Sequence, residues 1–187
     1  PTEAGDAQGS RVQRLSAIVR MRDRIEEAVR ASDEPAVVVG GDCGVALGAV
    51  SAIAGDDLAV VWIDAHPDLN TPESSPSGAF TGMVLRAIAG EGEDLVRLEP
   101  GIAPSRLVLV ATRAWDPEEE AFVAAHGITV VRADELSSPD ALADAVAATG
   151  ATRTHVHIDL DALDPADIAG VAQAVPFGAR TADVVAS

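Results

Sequence analysis

Lysine is missing altogether from this 187-residue chain, so all 13 basic residues are arginines, set against 30 Asp and Glu. The formal charge of -17 excludes the broad cationic face that nucleic acid or an anionic membrane surface requires of a partner. The only cysteine, Cys43, excludes an internal disulfide and any paired-cysteine zinc site. It is left as a core thiol, a ligand or a reactive group. Aromatic residues make up 3%, so Ala, Val, Leu and Ile must fill the interior. No apolar run approaches the ~20 residues of a membrane-spanning helix. The N-terminus is polar where a secretion signal would be apolar. The expectation is a soluble, cytoplasmic protein with no nucleic-acid or membrane partner.

What the chain does have is 48% hydrophobic residues, enough for a substantial core in a single domain over residues 1–187. The most informative stretch is residues 60–68, Val-Val-Trp-Ile-Asp-Ala-His-Pro-Asp. Its apolar run reads as a strand buried on both faces, the kind found in parallel sheets. Asp64, His66 and Asp68 follow at alternate positions, and Pro67 stops the ladder. Three ligand-type side chains therefore gather at the carboxyl end of a strand, the edge at which open α/β sheets bind ligands. Residues 156–161 repeat the design as a strand that places Asp159 and Asp161 two positions apart on one face. Residues 36–39 form a third apolar run, expected as a strand, that leads through Gly40 and Gly41 to Cys43. Carboxylate with imidazole suits Mn, Zn or Fe better than Ca or Mg.

Periodicity predicts helices over residues 11–31, 44–53, 83–89, 118–126 and 139–149, with Gly127 capping the fourth. Further strands are expected over 106–111 and 128–132. Residues 1–10 read as disordered, and 163–180 as rich in loops. Residues 69–82 read as a long loop of the kind that carries function. The alternation of strand and helix predicts an α/β fold with a three-layer, doubly wound parallel sheet. No strand is legible before residue 11 or after Arg180, which gives the expectation of a domain incomplete at both ends.

These residues resemble the ureohydrolases: arginase, agmatinase, formiminoglutamase and their relatives. The likeness rests on GGDC at 40–43, DAHPDLNTP at 64–72, SPSG at 75–78 and DLDALDP at 159–165. The NTP and SPSG elements look more like the arginase branch. The resemblance implies a three-layer α/β hydrolase with two Mn ions, assembled as trimers or hexamers, acting on a small guanidino or amidino substrate. It implies metal ligation by Asp64, His66, Asp68, Asp159 and Asp161, with Asp64 and Asp161 among the carboxylates holding both ions. It also implies that Asn70, Ser77 and Asp116 lie around the amino-acid end of the substrate, where Asn and Ser donate to a carboxylate and Asp accepts from an ammonium.

The chemistry accounts for that set. A guanidinium carbon is a poor electrophile, and two ions roughly 3.5–4 Å apart depress the pKa of a bridging water enough to supply hydroxide at neutral pH. Four aspartates offset the charge of two dications, so a cationic substrate can approach. The amine leaves only after it gains a proton, and breaking its C–N bond releases urea. Asp161 and His66 are the catalytic candidates for that step.

Two positions depart from the family pattern. Cys43 stands where the first metal ligand is usually His, and a soft thiolate there shifts preference from Mn toward Zn, Co or Fe. Thr81 stands where arginases have a histidine and relays no proton near neutral pH. His157 offers compensation, because a regular strand would set it on the face of Asp159, in contact with the cluster or orienting a ligand. A core histidine satisfied by its surroundings is the competing account. Two other functions stay open: a catalytically impaired relative retained for binding or assembly, and a metal hydrolase of the deacetylase type.

Overall fold

The computed structural model describes residues 5–138 and 140–187. The chain divides into two compact units, Pro1–Gly55 with Asp68–Ile102, and Asp56–Pro67 with Ala103–Ser187.

In the first unit, helix α1 (Leu15–Arg30) packs on α2 (Val45–Ile53), and α2 packs on α3 (Val84–Ile88). The α1–α2 approach depends on Gly48. A Cβ there would lie 2.7 Å from both the Arg22 carbonyl oxygen and the Ile25 Cβ. Leu15, Leu47, Val50, Leu85 and Ile88 are buried, as amphipathic spacing requires.

Two expectations change in this unit. Residues 5–10 are held to α1 rather than disordered: Ser16 Oγ accepts from the Asp6 N–H at 2.9 Å, and the Ser16 N–H donates to the Asp6 carbonyl at 3.1 Å. Residues 1–4 of that segment lie outside the described residues. Residues 36–39 form no strand among the described residues, and Val37 and Val39 are 87% and 91% exposed. An apolar run becomes a strand only when a neighbour supplies the other half of its ladder, and here the extended segment has no paired neighbour among the described residues.

The second unit is built on a parallel sheet. Its strands are β1 (Leu58–Ile63), β2 (Leu107–Val110), β3 (Thr129–Val131) and β4 (Arg153–Ile158), in the order β3-β2-β1-β4. β1 is central and fully buried, as its unbroken apolar run predicts. Its register sets Trp62 opposite His157 and Ile63 opposite Ile158. On one face, Val61, Ile63, Val108 and Val110 form a core cluster against which Leu142 and Val146 of α5 (Ala141–Ala148) and Val184 of α6 (Thr181–Ala186) pack. Helix α4 (Pro117–His126) begins on Pro at its first position and ends at Gly127, whose φ of 60° is the left-handed conformation glycine adopts without penalty. The expected start of α5 at Pro139 lies outside the described residues. The fold is α/β, a parallel sheet with flanking helices, as the alternation predicted.

Candidate metal centre

The ends of β1 and β4 carry the acidic residues, and short turns fix them more firmly than strand alternation would. The Asp64 N–H extends the ladder by donating to the Val110 carbonyl at 3.1 Å. Its side-chain Oδ1 then accepts from the His66 N–H at 2.7 Å, the local bond by which aspartate turns a chain. The Asp159 N–H likewise donates to the Ile63 carbonyl at 2.8 Å, and Asp159 Oδ1 accepts from the Asp161 N–H at 2.9 Å, capping a 3-10 turn over Leu160–Ala162. β4 therefore ends at Ile158, and the expected continuation of a strand to Asp161 is corrected. A short polar side chain that bonds the backbone two residues on competes with the ladder and wins at the strand's end.

The two turns are joined. Asp161 Oδ1 accepts from the buried Ala65 N–H at 3.1 Å. Thr112 Oγ1 donates to the Asp64 carbonyl at 3.0 Å, and the N–H groups of Arg113 and Ala114 both donate to the Ala65 carbonyl at 2.9 Å.

These turns bring five of the predicted residues together: Asp64, His66, His157, Asp159 and Asp161. His66 Nδ1 lies 3.1 Å from Asp161 Oδ2 and 3.5 Å from Asp64 Oδ1. The Asp161 carboxylate, then that of Asp64, pushes the His66 imidazole up to about 10. His157 Nε2 lies 3.6 Å from Asp64 Oδ2, beyond hydrogen-bond length. Burial raises the pKa of Asp64, but the imidazoles of His157 and His66 outweigh it and leave the carboxyl below its ordinary value.

Asp64, His66 and Asp161 each offer one ligand atom within 4.8 Å of the others, and so do Asp64, His157 and Asp159. Asp64, 1% exposed, belongs to both groups. Buried carboxylates and imidazoles so placed form an acidic cluster short of positive charge, and Nε2 of His157 is buried without a hydrogen-bond partner. Both features fit a site for cations.

The other predicted residues have local tasks of their own. In the first unit, Asp68 is 3% exposed with a φ of 52°, and its carbonyl accepts from the Arg86 N–H at 3.2 Å. Asn70 is buried; its Oδ1 accepts from Ser74 Oγ at 2.7 Å. Ser77 is exposed and its Oγ accepts from the Ala79 N–H at 3.1 Å, a turn-forming role. Thr81 lies in the 3-10 turn Phe80–Met83. Cys43 is 8% exposed just ahead of α2, and its carbonyl accepts from the Ala46 N–H at 3.0 Å. In the second unit, Asp116 caps α4 through a capping box with Glu119; the Asp116 N–H donates to Glu119 Oε2 at 2.9 Å. The His126 ring lies against Phe122, centroids 4.1 Å apart and planes tilted by 40°, and its Nδ1 is 2.9 Å from the Phe122 carbonyl, a structural role. His155 is half-buried with its Nε2 enclosed, and desolvation followed by the nearby His157 holds it down to about 4.

Sequence reasoning missed Arg113. Its guanidinium donates to the carbonyls of Ala111, Asp161, Ala162, Val175 and Pro176 at 2.7–3.2 Å, tying the end of β2 to the Asp161 turn and to residues 175–176. The available signal was an arginine three residues past a buried strand, where a long cationic side chain needs acceptors. Asp164, the last acid of DLDALDP, fastens the same region by accepting from the N–H groups of Ala166 and Gly178, each at 2.9 Å.

A family model described as the Arginase family matches residues 2–187. An arginase of Staphylococcus aureus (strain COL) is 36% identical over 174 residues, covering 86% of this chain and 58% of its own length. An arginase of Bacillus caldovelox is 34% identical, covering 94% of this chain and 62% of its own. Among solved structures, the native Bacillus caldovelox arginase superposes with a TM-score of 0.88 at 31% identity, over 98% of this chain and 66% of that one. An arginase from Bacillus cereus does so with a TM-score of 0.87 at 28% identity, over 96% and 67%. The chain thus spans about three-fifths of the curated relatives, 58% and 62% of these two.

Proposed function

Because the chain belongs to the Arginase family, we propose that it is a metal-dependent hydrolase of a C–N bond in a linear guanidino or amidino compound, arginase-like and releasing urea. The observation that carries this reading is the meeting of Asp64, His66, His157, Asp159 and Asp161 at the ends of two adjacent parallel strands. The relatives' name supports the substrate class. The resemblance supports two Mn ions, and the mix of donors in the chain, with Cys43 and Asp68 as further ligands by motif alone, leaves Zn, Co or Fe as alternatives. A homo-oligomer of three or six chains is proposed on the resemblance.

Bound dications would supply a water acidic enough to act as nucleophile at neutral pH. The chain's own residues do the rest. Asp64 and Asp159, turned by their own backbone bonds, present carboxylate oxygens in a fixed direction, which lowers the reorganisation needed for binding. Asp161 Oδ1 is held by the Ala65 N–H at 3.1 Å. Its Oδ2, beside His66 Nδ1, is the atom placed to take a proton from the attacking water and return it to the departing amine. The negative cluster draws in a cationic guanidinium group.

Elemental analysis of protein purified without chelator, followed by urea release from L-arginine and a panel of other guanidino compounds, tests the reading. Near two ions per chain and metal-dependent hydrolysis are expected. Asp161→Asn should lower turnover by about 10²–10⁴-fold, the usual worth of a general acid–base group. One ion or none, with the whole panel intact, would favour a binding or assembly role instead.

A further inference from the structure

We propose that His157 Nε2 is itself a metal ligand, joining Asp64 and Asp159 as an imidazole donor supplied from inside the sheet. The inference rests on the metal-dependent reading above and adds a donor to it.

Three observations carry it. The His157 side chain is 9% exposed and its Nε2 is buried with no hydrogen-bond partner. The unpartnered nitrogen does not mark a ligand by itself, since His155 Nε2 shares it; what sets His157 apart is a ligand atom within 4.8 Å of those of Asp64 and Asp159, where a ligand nitrogen must be kept free of a proton. Nε2 also stands 3.6 Å from Asp64 Oδ2, too far for a hydrogen bond. It is close to the separation of about 3.4 Å between two donors of one tetrahedral ion with the usual zinc–nitrogen and zinc–oxygen bond lengths. Lastly, the ring is already oriented. It stacks on Trp62 with centroids 3.7 Å apart and planes 17° from parallel, and the two residues face each other in the β1–β4 register. Binding would cost this side chain little rotational freedom.

The chemistry supplies a reason for the residue. The GGDC motif has Cys43 where the resemblance leads one to expect histidine, so the donor set is short of one neutral nitrogen. An imidazole at position 157 restores the nitrogen, and imidazole beside carboxylate suits Zn, Co or Fe. His155, two residues deeper in β4 and also buried without a partner at Nε2, is an internal control, because it belongs to neither group of potential ligands.

The test is a Zn(II) titration of chelator-stripped protein, followed by side-chain ¹⁵N NMR of its four histidines and by calorimetry. Nε2 of His157 and one ring nitrogen of His66 should move to the metal-bound range, while His126 and His155 stay in place. His157→Phe keeps a ring over Trp62 and removes the nitrogen; it should weaken one site at least tenfold and leave the His66 shift intact. His157→Gln should weaken that site similarly. An unshifted His157 at zinc saturation, or variants with unchanged stoichiometry and affinity, overturns the assignment while leaving the metal-dependent reading in place. Unsubstituted protein that takes up no zinc and moves no histidine overturns both.

Discussion

Trp62 and His157 face each other across the β1–β4 ladder with ring centroids 3.7 Å apart. This stack links the buried centre of the sheet to the acidic cluster at its end. The indole is fully buried, so truncation removes a large packed surface and the support of the imidazole together. Trp62→Ala should lower unfolding free energy by about 3–5 kcal/mol, and Trp62→Phe, which keeps an aromatic face over His157, by clearly less. Denaturant unfolding of both variants checks this, and equal losses would show that the aromatic face Phe keeps over His157 gives no support.

Arg113 should act on metal affinity without touching metal. Its guanidinium spans five backbone carbonyls, that of Asp161 among them at 2.8 Å. No lysine can reproduce that fork, because an ammonium is a compact donor on a flexible stem. Arg113→Lys and Arg113→Met should therefore both weaken metal binding by about 10–100-fold, as loss of an outer support commonly does. Calorimetric titration measures it. If Arg113→Lys binds as tightly as the unsubstituted protein, the positioning role is lost.

How much of this was legible beforehand depended on how local its cause was. The run at residues 60–63 announced a buried parallel strand, because burial on both faces leaves no polar position. Asp64, His66, Asp159 and Asp161 were legible as a cluster, since turns at the ends of adjacent strands gather whatever those turns carry. The means was misread: strand alternation was expected, but Asp159 caps a turn with its own side chain. Residues 36–39 were misread because the sequence of a strand does not contain its partner. The role of Arg113 was hidden for the same reason: an arginine after a buried strand signals a need for acceptors, but four of its five lie 48 to 63 residues away.

Gly178 should tolerate no side chain. A Cβ there would lie 2.5 Å from the Asp164 nitrogen and the Leu163 carbonyl carbon. Both are backbone atoms, fixed by the Asp164 N–H donating to the Ala179 carbonyl at 2.9 Å. Gly178→Ala must push these segments apart and should destabilise by about 1–3 kcal/mol, the usual cost of overpacking. Chemical unfolding with wild-type stability would show that residues 175–180 yield more readily than their bonds suggest.

The ion pair at the opposite end of the sheet should show itself through acid. Asp57 precedes β1, and its carboxylate takes two bonds from Arg153 at the start of β4, at 2.6 and 2.7 Å. The Arg153 guanidinium lowers the Asp57 pKa from 3.8 to about 2. A depressed carboxyl stabilises the folded chain above its unfolded pKa, and that contribution is lost as pH falls through the folded value. Asp57→Asn should therefore melt at a slightly lower temperature than the unsubstituted protein above about pH 4, since an exposed pair contributes little. The gap should close as pH falls from about 4 to 2. High salt should narrow it as well, because both groups are half exposed and screening acts on them. Melting curves collected across that range decide the matter: a gap that stays constant with pH would mean that the substitution acts through the backbone bonds of Asp57 with Thr152 and Arg153 and not through charge.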